Sequence, residues 1–390
     1  MTEFAAGLDG VAGADGAAGT APGASTSDVY RGYLAQNPVL LAPMAGWTEV
    51  VFRSICKIYG SGLTCSEMIS AQGLAYDNIR TLKYLDINPQ EGSAVIQLFG
   101  SNPQVMALQA SRIEELLGTK LAAIDINMGC PARKVVRKGE GSAMMKDPQL
   151  ASQVISATVE AVSVPVTVKF RRGFEHGCET AVDFAKMAEQ SGAAGCCVHG
   201  RYSKDLYHGE SDWGVVGRVK DAVQIPVVAS GDIKSSSDVF ECMRQTGADA
   251  VMVARGAQGN PWIFLQCREI REHSGDAGDP QNEVPIEERI RVARFHVEKL
   301  AERDPRSVVH MRNFFSQYFK GVPAASMYRG MVTSCATIDD FEDFFDQMWS
   351  ASLTHGYQKV LDADPLQRGA AYEDLEHWAQ QLREFWDSEN

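Results

Sequence analysis

Eight short apolar segments recur between residues 38 and 254, and amphipathic stretches separate them. Two of these stretches begin as helices do, since Asn102 and Asp147 each precede a proline, a pairing typical of a helix N-cap and its first turn. Strands that are apolar almost throughout and alternate with helices predict a parallel sheet buried on both faces. The eight segments read "PVLLAP", "GLTCSE", "AVIQLF", "AAIDIN", "VTVKF", "GCCVH", "PVVAS" and "ADAVMVA".

Eight strand–helix units in series predict a (β/α)8 TIM barrel, which is an α/β fold. The alternative is an open doubly wound sheet, but such a sheet usually carries GxGxxG after its first strand, and this sequence has no such motif there. Polar residues end almost every predicted strand, and in a barrel these ends converge on one mouth, where we expect the chemistry. They are Glu67, Gln97, Asn127, Lys169, His199, Ser230 with Asp232, and Arg255.

The chain has 390 residues, which is more than a single core normally accommodates. We predict a disordered Ala/Gly-rich extension over residues 1–36, the barrel over residues 37–275, and a helical domain over residues 285–390 that ends in an acidic helix. The stretch "GDAGDPQNEVP" reads as the linker between the barrel and the helical domain. The amino terminus lacks the basic and apolar segments of a secretory signal, and no run of about 18 apolar residues predicts a membrane span.

The nine cysteines show neither CxxC pairs nor Cys/His metal spacing. We therefore expect no disulfide framework and no metal site, and a reducing cytoplasm is the expected location. These features do not determine the oligomeric state, for which a monomer is the starting expectation.

The formal net charge of −13 opposes binding to a polyanion, but the charges are unevenly distributed. Basic residues are concentrated in residues 289–329, and acidic residues in residues 362–390. A second basic cluster directly follows Cys130. Solvated helix faces produce the same pattern, so the clusters permit a nucleic-acid partner without requiring one. The cluster after Cys130, called the basic cluster below, consists of Arg133, Lys134, Arg137 and Lys138.

Cys130 lies between Gly129 and Pro131, just beyond the fourth predicted strand. At the barrel mouth it is a candidate nucleophile, which needs a nearby base, or a candidate proton donor, which needs only the protonated thiol that prevails at neutral pH. The alternative is that it is a small buried hydrophobe.

The loops after the seventh and eighth strands read "ASGDIKSSSD" and "VARGAQGNPW". Gly231, Arg255 and Gly256 allow backbone N–H groups and a cation to approach a phosphate closely, although ordinary turns also use glycine. Lys169 ends the fifth strand and is placed to stabilise negative charge on a reduced flavin, with an ion pair to Glu67 as the alternative.

Eight segments together resemble the tRNA-dihydrouridine synthase family, and most closely its bacterial B-type members. They run in order from about residue 38 to residue 266, and "HMRNFFSQYFKG" is a weaker match further along the chain. The resemblance implies an FMN-dependent enzyme that reduces particular uridines of tRNA to 5,6-dihydrouridine and uses NADPH to regenerate the reduced flavin. The segments are "LAPMAGWTEVVFR", "GLTCSEMIS", "VIQLFGSNP", "DINMGCPARKVVRKGEGSAMM", "VTVKFRRG", "CVHGRYSKDLYHG", "VVASGDI" and "VMVARGAQGNPWIF".

The resemblance also implies roles for individual residues. Cys130 would protonate C5 of the uracil while flavin N5 gives hydride to C6, Asn127 would hold the base, and Arg171 would be a further substrate contact. Ser230 stands where many relatives have Asn, and Ala254 where they often have Gly. The implied flavin contacts are Pro43, Met44 and Ala45 supporting the ring, Gln97 and Lys169 at its polar edge, His199 against it, Ser230 beside it, and Gly231, Asp232, Ala254 and Arg255 in the ribityl and phosphate segments.

A uridine inside a folded RNA must be extruded to reach a barrel mouth. The basic cluster would then hold the flanking phosphates, and the basic stretch of the helical domain would supply the rest. Two alternatives stay open: a small-molecule FMN barrel, such as a dihydroorotate or dihydropyrimidine dehydrogenase, and a tRNA-binding module without redox turnover. The sequence does not indicate which uridine positions are modified.

Overall fold

The computed structural model of the protein describes residues 24–76, 78–273, 284–322 and 325–354. Two compact units divide the chain into residues 1–281 and 282–390. Within the described ranges, no helix is long and apolar enough to span a membrane. The predicted acidic helix and most of the predicted linker lie outside the described residues.

Eight parallel strands form one sheet in the first unit, in the order β1-β8-β7-β6-β5-β4-β3-β2. Two single-residue bridges, Leu41 to Thr64 and Cys65 to Val95, connect the first strand to the third through the second segment of the chain. The predicted TIM barrel is therefore confirmed. The strands are β1 (Val39–Leu41), β2 (Ile69–Ser70), β3 (Ala94–Phe99), β4 (Leu121–Met128), β5 (Val166–Gly173), β6 (Gly195–Tyr202), β7 (Val227–Ser230) and β8 (Ala250–Val253).

Helices connect consecutive strands, and local capping explains where several of them begin. The side chains of Asn102 and Asp147 accept hydrogen bonds from Val105 N and Leu150 N, and a proline follows each cap, as the sequence predicts. The helices of this unit are α1 (Thr26–Gln36), α2 (Val50–Ile58), α3 (Ala71–Ala75), α4 (Ile79–Leu82), α5 (Pro103–Leu117), α6 (Arg133–Val136), α7 (Pro148–Ala161), α8 (Ala181–Gln190), α9 (Gly214–Ala222), α10 (Ser236–Thr246) and α11 (Trp262–His273).

Helix α1 corrects the predicted extension over residues 1–36. Residues 26–36 are helical, and Tyr30 and Leu34 are buried in the apolar cluster that fills the barrel. A Cβ at Gly195, the first residue of β6, would lie 2.6 Å from Tyr30 Cε1. The helix therefore covers the end of the barrel at which the strands begin, opposite the mouth. Residues 1–23 lie outside the described residues.

The second unit is helical and packs around aromatic side chains. His296 Nδ1 and the Tyr318 hydroxyl lie 3.0 Å apart in its interior, and both side chains are fully buried. Its helices are α12 (Ile286–Arg303), α13 (Met311–Tyr318), α14 (Ala325–Val332) and α15 (Ile338–Thr354). The aromatic core comprises Phe314, Phe315, Tyr318, Phe319, Phe341, Phe344 and Phe345.

Candidate active site at the barrel mouth

Strand register brings the polar strand ends together. Asn127 of β4 lies opposite Lys169 of β5, and His199 of β6 lies opposite both Arg171 of β5 and Ser230 of β7. Alternate residues of a strand share a face, so these side chains join the row that faces the barrel interior. The mouth therefore collects an amide, a lysine and an imidazole within neighbouring strands.

Cys130 is a partly exposed thiol on a loop that is clamped at both sides. Its backbone N–H and that of Gly129 donate to Asn127 Oδ1 at 2.9 and 3.2 Å. Its carbonyl accepts from Ser142 N at 3.0 Å. Gly141 has a φ of +60°, and a Cβ there would lie 2.8 Å from the Cys130 carbonyl oxygen. The glycine lets the chain fold back tightly beneath the thiol.

A buried hydrogen-bond chain lies directly below this loop. Asn127 Nδ2 donates to Gln97 Oε1 at 2.8 Å, and Gln97 Nε2 donates to Asp125 Oδ2 at 2.7 Å. Thr167 Oγ1 donates to Asp125 Oδ1 at 2.6 Å. Burial raises the pKa of Asp125 to about 6 despite these hydrogen bonds and the charge of Lys169. The predicted flavin contact Gln97 and the predicted base contact Asn127 thus belong to one network.

Sequence reasoning missed Asp125 as a site residue. It lies within the segment "AAIDIN", two positions before Asn127. A carboxylate inside an otherwise apolar strand, at a spacing that puts it on the same face as a predicted site residue, is the signal that marks it.

Four cations surround His199 at the mouth. Burial lowers the pKa of His199 well below its usual range, and the charges of Lys169, Arg171, Arg201 and Arg255 lower it further. The imidazole is therefore neutral, and its Nε2 lies 3.4 Å from Arg201 Nη1. A chain with a net charge of −13 thus places four cations close to His199 at its barrel mouth.

Lys169 does not form the ion pair with Glu67 that was the alternative to a cofactor contact. The Glu67 carboxylate accepts from Gly46 N at 2.6 Å. Burial raises the pKa of Glu67, and that hydrogen bond opposes the rise. Among the described residues, Lys169 has no carboxylate within ion-pair distance. Its ammonium is available to a ligand at the mouth.

Glu67 instead shapes the loop after β1, where Pro43, Met44 and Ala45 were predicted to support a flavin ring. Its contact with Gly46 N closes the loop on one side. Met44 N donates to Thr48 Oγ1 at 2.9 Å on the other side. The loop lies at the mouth in a defined conformation, and its predicted role stays a prediction.

Arg171 links two loops of the mouth. Its Nε donates to the Gly129 carbonyl at 2.9 Å, and its Nη1 donates to the carbonyls of Tyr202 and Leu206 at 3.0 and 2.7 Å. Burial lowers its pKa to about 10. These bonds tie the Cys130 loop to the loop after β6. In the part of the chain that the structure describes, Nη2 alone has no hydrogen-bond partner, so a direct substrate contact would use that nitrogen.

Tyr207 is a second residue that sequence reasoning missed. Its ring is exposed, and the guanidinium carbons of Arg171 and Arg255 lie 5.7 and 5.6 Å from the ring centroid. The exposed ring therefore lies within cation–π distance of two guanidinium groups at the mouth. Only the tertiary structure brings the three side chains together.

Asp232 organises the loop that follows β7. Its carboxylate accepts from Arg201 Nη2 at 2.6 Å, from Arg255 Nη2 at 3.1 Å and from Ser211 N at 2.8 Å. Burial raises its pKa, but the hydrogen bonds of Arg201 and Ser211 outweigh burial and hold it below the usual value. The carboxylate positions two guanidinium groups, which is how an acid contributes to a site for an anion.

The remaining predicted contacts, Ser230, Gly231 and Ala254, lie at the ends of β7 and β8, and their predicted roles stay predictions. Gly231 has a φ of +109°, and a Cβ there would lie 2.3 Å from Ser211 Oγ, a buried hydroxyl without a partner among the described residues. Ala254 has a φ of −108°, which lies outside the left-handed region that favours glycine. Ser230 is buried, and its hydroxyl contacts the Cys197 thiol.

The basic cluster lies on and just after the short helix α6. Arg133, Lys134, Arg137 and Lys138 are all exposed. Within the described ranges none of the four forms an ion pair. Val135 between them is buried and lies against Gly141, which anchors the cluster to the Cys130 loop.

The fold and this mouth define a class of protein: a (β/α)8-barrel enzyme with a loop-held thiol and several cations at its mouth. The family model for dihydrouridine synthase matches residues 40–353. The chain belongs to the dihydrouridine synthase family, and its class is that of the flavin-dependent oxidoreductases. The family resemblance drawn from the sequence is confirmed.

Curated relatives extend this match over most of the chain. A probable tRNA-dihydrouridine synthase of Rickettsia conorii is 39% identical over 297 residues, which are 75% of this chain and 88% of the relative. A tRNA-dihydrouridine synthase B of Shewanella oneidensis is 40% identical over 268 residues, 69% of this chain and 81% of the relative. One of Vibrio vulnificus is 36% identical over 327 residues, 82% of this chain and 98% of the relative.

Proposed function

We propose that this enzyme reduces uridines of tRNA to 5,6-dihydrouridine, with FMN as its flavin and NADPH as the reductant. The observation that carries the proposal is the setting of Cys130. Its thiol is partly exposed on a clamped loop, in the barrel mouth that holds Lys169, and it directly precedes the exposed basic cluster. Relatives named tRNA-dihydrouridine synthases, at 36% to 40% identity, support the choice of substrate.

The residues of the mouth suit a flavin that carries a phosphate. Arg255 and Arg201 supply positive charge at the loop after β7, and the Ser211 hydroxyl, which has no partner in the described part of the chain, offers a hydrogen bond beside Gly231. We assign the phosphate end to this segment and the polar edge of the ring to Lys169. When bound, the flavin supplies the hydride that is transferred to C6 of the uracil. A cation near the reduced ring stabilises the negative charge that the ring acquires.

The thiol of Cys130 donates the proton to C5 of the uracil in this proposal. Asn127 serves first to hold the Cys130 loop, since its Oδ1 accepts two backbone N–H groups. Its Nδ2 has a second hydrogen, which faces the Met68 sulfur at 3.8 Å. Sulfur is a weak acceptor, so a uracil carbonyl can replace it, and Asn127 can hold the base as well as the loop.

His199 complements the cations without adding another charge. Because its imidazole is neutral, it can donate one hydrogen bond to the flavin while its other nitrogen accepts from Arg201. The neutral His199 donor and the neighbouring cations, such as Lys169, therefore lie at the same edge of the mouth.

The basic cluster is the proposed grip on the phosphates that flank an extruded uridine. Its four cations are exposed and unpaired among the described residues, and cations of this kind gain most from releasing the counterions of RNA. We assign the main phosphate contacts to this cluster rather than to the basic stretch of the helical unit. The cytoplasm, where a reduced thiol persists, is the proposed location.

An anaerobic half-reaction tests the proposal. The flavin of the purified protein is reduced with NADPH, unmodified tRNA is added, and flavin reoxidation is followed by absorbance while mass spectrometry maps the RNA. We expect rapid reoxidation together with a mass gain of two hydrogens at defined uridines.

Free uracil, dihydroorotate-type substrates and a tRNA that is already fully modified serve as controls. Reoxidation by a free pyrimidine but not by tRNA would assign the protein to the small-molecule reductases. Binding of tRNA without any reoxidation would assign it to tRNA-binding modules that lack redox turnover.

A further inference from the structure

The hydrogen-bond chain below Cys130 has a fixed direction. At its lower end, the Asp125 carboxylate can only accept when it is ionised, and it accepts from both Thr167 and Gln97. Gln97 must therefore turn its NH2 group towards Asp125 and its carbonyl towards Asn127. Gln97 is fully buried, so no water competes for either end of its amide.

The upper end of the chain has the opposite constraint. The backbone N–H groups of Gly129 and Cys130 can only donate, and both donate to Asn127 Oδ1. Asn127 must therefore turn its NH2 group towards Gln97. An acceptor at one end and two donors at the other leave the two amides a single consistent orientation.

We infer that Asp125 is a positioning residue for Cys130, acting through the amides of Gln97 and Asn127. The carboxylate sets the direction in which both amides point, and that direction provides the acceptor that holds the Cys130 loop. Cys130 as proton donor belongs to the proposed function, on which the catalytic meaning of the inference rests. The positioning itself concerns only groups of this chain and is tested without turnover.

The hydrogen-bond chain predicts that Asp125→Asn and Thr167→Val are each tolerated alone and that their combination is not. In Asp125→Asn, the new carbonyl can still accept from Gln97, because the Thr167 hydroxyl can rotate and accept from the new NH2 group. In Thr167→Val, Asp125 still accepts from Gln97. In the double variant the native direction of the hydrogen-bond chain leaves the NH2 group at position 125 buried and unpaired. That group gains an acceptor at Gln97 only if both amides invert, which requires the N–H groups of Gly129 and Cys130 to leave Asn127 Oδ1. The unpaired group therefore lowers the free-energy cost of releasing the Cys130 loop.

The test measures alkylation of Cys130 by iodoacetamide in the protein as purified, by peptide mass spectrometry over time. Cys178, an exposed thiol, provides the internal reference rate. We expect the Cys130 rate, relative to Cys178, to rise about fivefold in the double variant, the factor that one lost hydrogen bond of about 1 kcal/mol produces. Each single variant should stay within about twofold of the wild type on the same reasoning.

Two further variants separate positioning from general destabilisation. Asp125→Asn with Thr167→Ser restores a hydroxyl that can accept, so its relative rate should return to that of the wild type. Gln97→Met cuts the chain at its middle and should raise the Cys130 rate even if the double variant does not fold. General loosening would instead lower the melting temperature and raise both thiol rates together.

An unchanged relative rate in the double variant, or in Gln97→Met, would overturn the inference. So would a single Asp125→Asn variant as reactive as the double variant, because the direction of the chain would then be irrelevant. Failure of the proposed function would appear differently, as an absence of uridine reduction in an enzyme whose Cys130 reactivity still follows the predicted order.

Discussion

The chain has two basic regions that look alike in sequence and differ in the structure. In the basic cluster after Cys130, four exposed cations have no ion-pair partner among the described residues. In the helical unit, most cations of residues 289–329 are already engaged. Those with carboxylate or carbonyl partners are Arg289, Arg291, Arg294, Lys299, Arg306 and Arg312.

The difference concerns the availability of charge rather than its amount. Arg294 forms ion pairs with Glu342 and Asp346, so these carboxylates neutralise much of its positive charge. Arg312 donates twice to the Cys335 carbonyl and serves the packing of its own unit. A free cation releases RNA counterions, whereas a paired cation must first break a bond. Counting basic residues in a sequence therefore overestimates the phosphate-binding capacity of the helical unit.

The largest expected effect is on the rate of uridine reduction, and it separates the role of Cys130 from that of the basic cluster in tRNA binding. Cys130→Ala should lower the rate of uridine reduction by about 10²- to 10⁴-fold, the usual contribution of a proton donor, and leave tRNA affinity unchanged. Single-turnover kinetics and a filter-binding titration measure the two quantities. Cys178→Ala, which removes an exposed thiol, is the matched control. Near-normal turnover in Cys130→Ala would remove the thiol from the mechanism.

The second prediction tests the comparison directly. Replacing Arg133, Lys134, Arg137 and Lys138 together by Gln should weaken tRNA binding by about 10- to 100-fold and flatten its salt dependence. The control variant replaces Arg291, Arg294, Lys299 and Arg306 by Gln, so it removes the same number of positive charges from paired positions. Equal losses of affinity in the two variants would show that pairing does not matter and would break the comparison.

The third prediction carries the comparison into the barrel, where Lys169 is another cation without an ion pair in the described residues. Lys169→Ala should weaken FMN binding or slow flavin reduction by about tenfold, as expected for the loss of a charge-assisted hydrogen bond. A fluorescence titration of the apoprotein with FMN and the rate of reduction by NADPH are the measurements. Arg244→Ala, at an exposed ion pair with Glu241, is the control. Unchanged values for both quantities would contradict the role of Lys169.

The smallest effect is expected at a paired cation of the helical unit. Arg294→Gln removes a guanidinium that is about a quarter exposed and whose partners are also partly exposed, so the free energy of unfolding should fall by no more than about 1 kcal/mol. Denaturant unfolding measures that change, and tRNA affinity should stay the same. A clear loss of affinity without a loss of stability would mean that Arg294 leaves its carboxylates to bind RNA.

Local patterns predicted those parts of the molecule that depend on neighbouring residues. The apolar period, the Asn102 and Asp147 caps and the polar strand ends were enough to predict the barrel and to place Asn127, Lys169 and His199 at one mouth. The second segment was less predictable. In "GLTCSE" only Thr64 and Cys65 form bridges, and the regular pairing falls on Ile69 and Ser70.

Other features depend on contacts between residues far apart in the chain, which no local pattern contains. Helix α1 was predicted to belong to the disordered Ala/Gly-rich extension because Ala, Gly and Asp dominate the first 28 residues. Burial of Tyr30 and Leu34 in the barrel core, with Tyr30 against Gly195, shows that it is part of the fold. Tyr207 lies at the site because Arg171 and Arg255, from two other strand ends, both come within cation–π distance of its ring.

The amino-acid sequence alone determined the barrel, the thiol at its mouth and the family. Hydrophobic periodicity and contiguous motifs are local signals, so they can be recognised without knowledge of long-range contacts. Tertiary structure decided which cations are free and which acid directs the amides beneath Cys130. Electrostatic availability and hydrogen-bond direction depend on distances of a few ångströms between groups such as Asp125 and Gln97, which come from different strands.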